Sequence, residues 1–256
     1  MGFMDGRALR VVAAVCLMAA MTIFVDRANA QGTEGSSALG AKPANVSMLT
    51  LARGDLPTYA FAPSSNDGAK PLTIYLHGIC GDPGNGCPYF REGATSASWL
   101  LCPSAPTECQ GGGGTWAGST LAQVATVKSA EEKISALYPQ AVDAQRPRVL
   151  IGFSQGGYTA RNLIKAEPGK FRAALFIGAD IETTADEFKK AGISRVAFAS
   201  GRYDMMRKPL EKEAASLAAA GFPTRFVDLG AVGHTYAPAQ NPEKLQDAIA
   251  WLEAAP

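Results

Sequence analysis

The sequence predicts an α/β fold built on a mostly parallel sheet, and three observations carry that prediction. From residue 148 onward, short runs rich in Val, Ile, Leu and Phe alternate with stretches of helical apolar spacing, the pattern of strand, crossover and parallel strand. The connections between those segments are short, which leaves no room for a second core. Finally, the apolar run from Val149 passes through Gly152-Phe-Ser-Gln-Gly156 straight into a helical pattern. Glycines two places either side of a serine permit a strand-to-helix turn too tight for flanking side chains.

The first segment of the chain reads as an export peptide. Arg7 and Arg10 precede an apolar run from Val11 to Val25, and Ala28-Asn-Ala30 before Gln31 is a small-residue cleavage signal. A membrane anchor needs about 18 apolar residues or more; this run has fifteen. The organisation expected is a signal peptide at 1–30, a Gly/Ser/Ala-rich flexible leader at 31–45 and one domain at 46–256. Removing the first thirty residues leaves 21 basic against 21 acidic side chains. A neutral chain gives no electrostatic ground for a nucleic-acid partner or an anionic membrane surface, and the mature segment has no span of its own. The compartment expected is periplasmic or extracellular.

The elements follow in order. Val46–Leu51 and Thr58–Ala62 read as strands joined by a turn at Arg53-Gly-Asp-Leu-Pro57, and Leu72–His77 as a third, buried strand. Ser98–Cys102 is a fourth, stopped by Pro103. The four glycines Gly111–Gly114 lack the Gly-Lys-Ser/Thr of a phosphate loop and read as a surface spacer. Apolar spacing predicts a helix over Ser119–Tyr138, closed by Pro139. Beyond it come a strand at Arg148–Phe153 and a helix from Gln155 to Glu167. Strands are expected at Ala173–Ile177, Arg195–Ala199 and Thr224–Leu229, with helices at Thr184–Ala191, Lys208–Ala220 and Pro242–Glu253.

Cys80, Cys87, Cys102 and Cys109 remain after export. An even count in an oxidising compartment implies two disulfides with three possible connectivities. The gap of seven within each half favours Cys80 with Cys87 and Cys102 with Cys109, because short loops lose least entropy on closing. Zinc is disfavoured by the lack of a Cys-x-x-Cys pair.

The serine turn supplies a nucleophile candidate, Ser154, which would stand at the carboxyl edge of the sheet. An alcohol needs a base, and the mature chain has two histidines. His77 ends a strand before the serine and suits a loop-shaping role. His234 follows the last strand, where sites form in open α/β sheets, and is the base expected to take the Ser154 proton and return it to the leaving group. Asp204 follows the preceding strand in the chain order Ser, Asp, His, and is the orienting acid expected. Asp180 is the runner-up, and Asp228 within a strand should point elsewhere. The developing oxyanion needs fixed N–H donors; position offers Gln155 after the nucleophile and Ile79 in the loop after the third strand.

These residues carry a resemblance. Leu76-His-Gly78, Pro103-Ser-Ala-Pro106 with Trp116, Gly152-Phe-Ser-Gln-Gly-Gly157, Ser200-Gly-Arg-Tyr-Asp204 and Gly233-His234 resemble the α/β-hydrolase superfamily and, within it, the phospholipase/carboxylesterase group that includes acyl-protein thioesterases. The resemblance implies a mostly parallel eight-stranded sheet with helices on both faces, a Ser154–His234–Asp204 triad, an oxyanion hole from the Ile79 and Gln155 N–H groups, and no cofactor or metal. It implies a serine esterase acting on a small-molecule or polymer-borne ester. A serine peptidase and an inactive binding module on the same scaffold are the alternatives. The chain departs from the group in its export signal, its cysteines and the Met205-Met206 pair after Asp204. Only Gly178–Ser194 separates the strands where a cap would enter, so no cap domain is expected.

Overall fold

The computed structural model describes residues 48–52, 56–240 and 242–256. The segments expected as an export peptide (1–30) and a leader (31–45), and the Arg53–Asp55 part of the expected first turn, lie outside the described residues.

An eight-stranded sheet forms the centre. Its strands are β1 (Leu49–Ala52), β2 (Thr58–Phe61), β3 (Leu72–Leu76), β4 (Trp99–Pro103), β7 (Arg148–Phe153), β8 (Phe171–Ile177), β9 (Arg195–Ser200) and β10 (Thr224–Asp228), in the spatial order 1-2-4-3-7-8-9-10. The first two pairings, β1 with β2 and β2 with β4, are antiparallel. All later neighbours run parallel. Strands β3, β4 and β8 are buried along their whole length, which is why they read as unbroken apolar runs rather than alternating ones.

Side chains alternate between the two faces. Leu150, Ala174, Phe176 and Phe198 face α2 (Thr120–Leu137), α3 (Gln155–Ala166), α4 (Ala185–Lys190) and α5 (Arg207–Ala219). Val149, Ile151, Leu175 and Ala197 face α1 (Pro83–Thr95) and α6 (Glu243–Glu253). The first strand, expected from Val46, begins at Leu49, and residues 46–47 lie outside the described residues. The other expected strands and helices are present with ends shifted by no more than two residues, a scatter ordinary for element boundaries.

Two features correct the sequence reading. The disulfides join Cys80 to Cys109 and Cys87 to Cys102, with Cα–Cα separations of 5.5 and 6.0 Å, not each cysteine to its near neighbour in sequence. Cys87 lies on α1, whose buried face packs on the sheet over β4, where Cys102 points to meet it. Packing of the helix, not loop length, chooses the partner. The second correction concerns Gly111–Gly114, which is no free spacer. It belongs to a small hairpin of β5 (Thr107–Glu108) and β6 (Gly114–Thr115), and Gly114 bridges to Gly81 in the loop after β3.

At the amino ends of the strands a buried polar cluster ties the last helix to the sheet. Glu253 accepts from Thr73 and, at 2.6 Å, from Ser98. Arg172 donates to its carboxylate at 2.7 Å and to the Pro147 carbonyl at 2.6 Å.

Candidate active site

Ser154 sits between β7 and α3 with φ 53° and ψ −119°, a backbone state that L-residues adopt only under constraint. Its N–H donates to the Ile177 carbonyl at 2.8 Å, which pins the turn to the end of β8. Close crossing of helix and sheet demands the following glycine: a Cβ on Gly156 would fall 2.0 Å from the Leu76 carbonyl oxygen.

The structure brings Asp204 and His234 together. Asp204 lies after β9 with its side chain only 2% exposed, and its Oδ2 is 3.0 Å from Nδ1 of His234, which is 45% exposed. The other carboxylate oxygen accepts the Met206 N–H at 2.9 Å. Two backbone bonds, Arg202 N–H to the Gly230 carbonyl (2.8 Å) and Tyr203 N–H to the Val232 carbonyl (2.9 Å), lash the Asp204 loop to the His234 loop. With Nδ1–H donating to the carboxylate, Nε2 carries a lone pair.

Ser154 and the His234 ring share this edge of the sheet. The residue after Ile177, Gly178, lies directly under the ring: a Cβ there would be 2.8 Å from His234 Cε1 and 3.1 Å from Asp204 Oδ2. Phe153, next to the serine, packs its ring 5.0 Å from that of His234. The Ser154 hydroxyl forms no hydrogen bond with the ring among the described residues; such bonds commonly tighten only when substrate is bound.

Elsewhere on the edge, Asp180 forms no hydrogen bond or ion pair with His234 among the described residues. It lines a cavity of about 600 Å³ with Glu182, Lys208, Lys212 and Glu213. Burial pushes the Glu213 carboxyl up, against the Thr183 and Glu182 N–H groups it accepts. Asp228 ends β10 bound to Arg202, Arg207 and the Gly230 N–H, turned away from the ring as its strand position predicts.

His77 has a structural place. It is buried, its Nδ1 lies 2.7 Å from the Gly78 carbonyl, and its Nε2 accepts the Ala105 N–H at 3.0 Å. Burial holds its pKa below the usual imidazole range, so the ring is a neutral strut.

The two N–H groups expected as oxyanion donors, on Ile79 and Gln155, have no acceptor among the described residues. Gln155 opens α3, so its N–H also carries the positive end of the helix dipole. Ile79 is 65% exposed, and its loop lies at the rim. An aromatic wall that the sequence reading did not foresee continues from Phe153 to Tyr236 (5.0 Å) and Tyr89 (5.2 Å from Tyr236). Those rings come from three distant segments, so no local spacing announces them. Among the described residues no cluster of His, Cys, Asp and Glu could hold a metal ion, and no helix is long and apolar enough to cross a membrane.

No protein-family model and no curated protein sequence matches the chain. Solved structures do. The esterase PE8 is similar at 23% identity, covering 79% of this chain and 100% of its own, with a TM-score of 0.54. TT1662 from Thermus thermophilus is similar at 18% identity over 83% of this chain and 100% of its own, TM-score 0.56. A thermostable esterase from Pseudomonas putida ECU1011 is similar at 15% identity over 84% and 83%, TM-score 0.53. At such identities the likeness speaks of architecture, and the architecture is the α/β-hydrolase fold.

Proposed function

We propose that the chain is an exported serine hydrolase that cleaves carboxylic esters through an acyl-enzyme. The observation that carries this reading is a serine in strained backbone at a strand-to-helix turn, on the same sheet edge as a hydrogen-bonded His234–Asp204 pair. Two of the similar solved structures are described as esterases, and that description favours ester over amide. The two disulfides and the small-residue cleavage signal favour export.

In the proposed reaction His234 Nε2 takes the Ser154 proton as Oγ forms a bond to the ester carbonyl carbon. The carbonyl π pair moves onto oxygen, where the Ile79 and Gln155 N–H groups receive it. Asp204 holds the Nδ1–H tautomer and stabilises the imidazolium. Collapse of the intermediate breaks the carbon–alkoxide bond, and the imidazolium gives its proton to the departing alcohol. Water repeats the sequence, releasing the acid and restoring Ser154.

Among the described residues no cap domain enters between β8 and β9, where only Gly178–Ser194 with the short α4 intervenes. The lack of a cap there suits bulky or polymer-borne esters as well as small ones. A panel of nitrophenyl esters of rising acyl length, plus a nitroanilide, run on wild type and Ser154→Ala tests the proposal. Ester turnover should fall by about 10⁴-fold or more in the variant. Equal rates in both proteins would remove Ser154 from the chemistry, and anilide turnover outpacing the esters would make the enzyme a peptidase.

A further inference from the structure

The segment Ala105–Trp116 leaves the sheet after β4, folds into the β5–β6 hairpin and returns, touching both halves of the proposed oxyanion hole. On one side it meets the residue after the nucleophile. The Gln155 carboxamide oxygen accepts the Trp116 N–H (2.9 Å) and the Thr115 hydroxyl (3.1 Å), and its nitrogen lies 3.0 Å from the same hydroxyl. The other side of the segment meets the loop after β3. The buried Trp116 indole donates to the His77 carbonyl at 3.0 Å, the Ala105 N–H to the His77 ring, and the Gly114 N–H to the Gly81 carbonyl at 3.0 Å. The Cys80–Cys109 disulfide closes the same junction.

These contacts converge on one peptide plane. The Gly78 carbonyl is held by the His77 ring at 2.7 Å and by the Gly81 N–H at 3.0 Å. A trans peptide points its N–H opposite to its carbonyl, so fixing that oxygen fixes the direction of the Ile79 N–H. Cys80, next in the chain, is held at φ 51°. A left-handed state costs an L-residue about 1–2 kcal/mol and persists only where the surroundings over-determine it. The hairpin packs too tightly here for another residue: a Cβ on Gly113 would fall 2.3 Å from the Cys80 carbonyl oxygen.

We infer that the Ala105–Trp116 hairpin is a brace that sets the spacing of the two oxyanion donors, with the Gln155 carboxamide and the Cys80–Cys109 disulfide as its positioning groups. The inference rests on the ester-hydrolase reading above. Oxyanion donors act only within about 2.7–3.1 Å of the charge they receive. A brace anchored at both donors therefore governs turnover without touching the ground-state substrate.

The test compares wild type with Gln155→Met, which keeps length but loses the polar contacts, and with Cys80→Ser/Cys109→Ser. Three quantities are read: kcat and KM on nitrophenyl acetate, the rate of inactivation by a fluorophosphonate, and Tm. Both variants should lose about 10–100-fold in kcat, less than the 10²–10³ of deleting a donor, with KM changed less than about 3-fold. Inactivation should slow in proportion. Should the cysteine variant not fold, dithiothreitol on wild type gives the second arm, with a reversible loss of kcat expected. Unimpaired kcat in Gln155→Met, or losses that merely track the unfolded fraction, would overturn the brace. A wild type that neither turns over ester nor labels would instead sink the hydrolase reading itself.

Discussion

Two buried carboxylates at opposite ends of the sheet show what burial does and does not decide. Asp204 at the carboxyl end and Glu253 at the amino end each have side chains 2% exposed, and each is paired with a nitrogen base or cation about 3 Å away. Their partners differ. Arg172 is itself buried, at 7%, and its guanidinium stays charged at any working pH. His234 is 45% exposed, with one nitrogen on the carboxylate and the other free. A pair buried on both sides is a fixed piece of structure, whereas a pair with one wet, titratable member can pass a proton to something outside it. The surrounding backbone agrees: among the described residues the non-glycine positions of positive φ, Cys80, Ser154 and Glu182, follow β3, β7 and β8 at the carboxyl end.

Asp204→Asn is the sharpest way to break the contrast. An amide in place of the carboxylate leaves the shape intact but permits the wrong imidazole tautomer, and kcat should fall by about 10⁴-fold with little change in Tm. If Tm collapses while the folded fraction retains full kcat, Asp204 is a structural carboxylate like Glu253.

The converse experiment is Arg172→Met. It leaves Glu253 buried with Thr73 and Ser98 but without its cation, and should cost about 3–5 kcal/mol, or roughly 6–20 °C in Tm for a domain of this size. Per folded molecule, fluorophosphonate labelling should match wild type. Slower labelling at full folding would couple the two ends of the sheet and undo the comparison.

How far each end was legible from sequence follows the same division. Ser154, Asp204 and His234, the proposed nucleophile, acid and base, sit just after strands whose apolar runs announce themselves, so their edge can be read from chain order alone. Helix α1 could not be. Pro83-Gly-Asn-Gly-Cys-Pro88 is poor helix material, and it is helical because Asp82 caps it, Pro83 opens it and α6 packs against it. At Gly86 a Cβ would lie 2.3 Å from the Tyr75 hydroxyl, so the helix needs the residue that propensity counts against it. The disulfide partners went astray for the same reason, since Cys87 reaches Cys102 only once α1 exists. The hairpin over Gly111–Gly114 escaped notice because its anchors, Trp116 and Gln155, meet by tertiary contact. The Glu253 cluster draws on four segments and leaves no local trace at all.

Strain at the serine gives a smaller effect. Relative to Ser154→Ala, Ser154→Gly should be more stable by about 1 kcal/mol, the release of ~1–3 kcal/mol of backbone strain offset by ~0.5–1 kcal/mol of added chain entropy. Both variants should be inactive. Denaturant midpoints of the two, compared at equal slope, measure it. If the glycine variant is the less stable, the elbow is relaxed and the turn stores nothing.

Asp228 offers the weakest effect and the one with a definite sign. Its bond from the Gly230 N–H, helped by Arg207 and Arg202, holds its pKa at about 2 against an ordinary 3.8. A carboxylate depressed in the folded state favours folding above its ordinary range, and that contribution is lost as pH falls through about 2. Glu253, raised chiefly by burial, has the opposite sign: between the ordinary carboxylate range and its raised value, stability falls as pH rises. Between pH 4 and 2, therefore, Tm should drop less steeply in Asp228→Asn than in wild type. Parallel Tm profiles over that window would show the Asp228 carboxylate to be as free folded as unfolded.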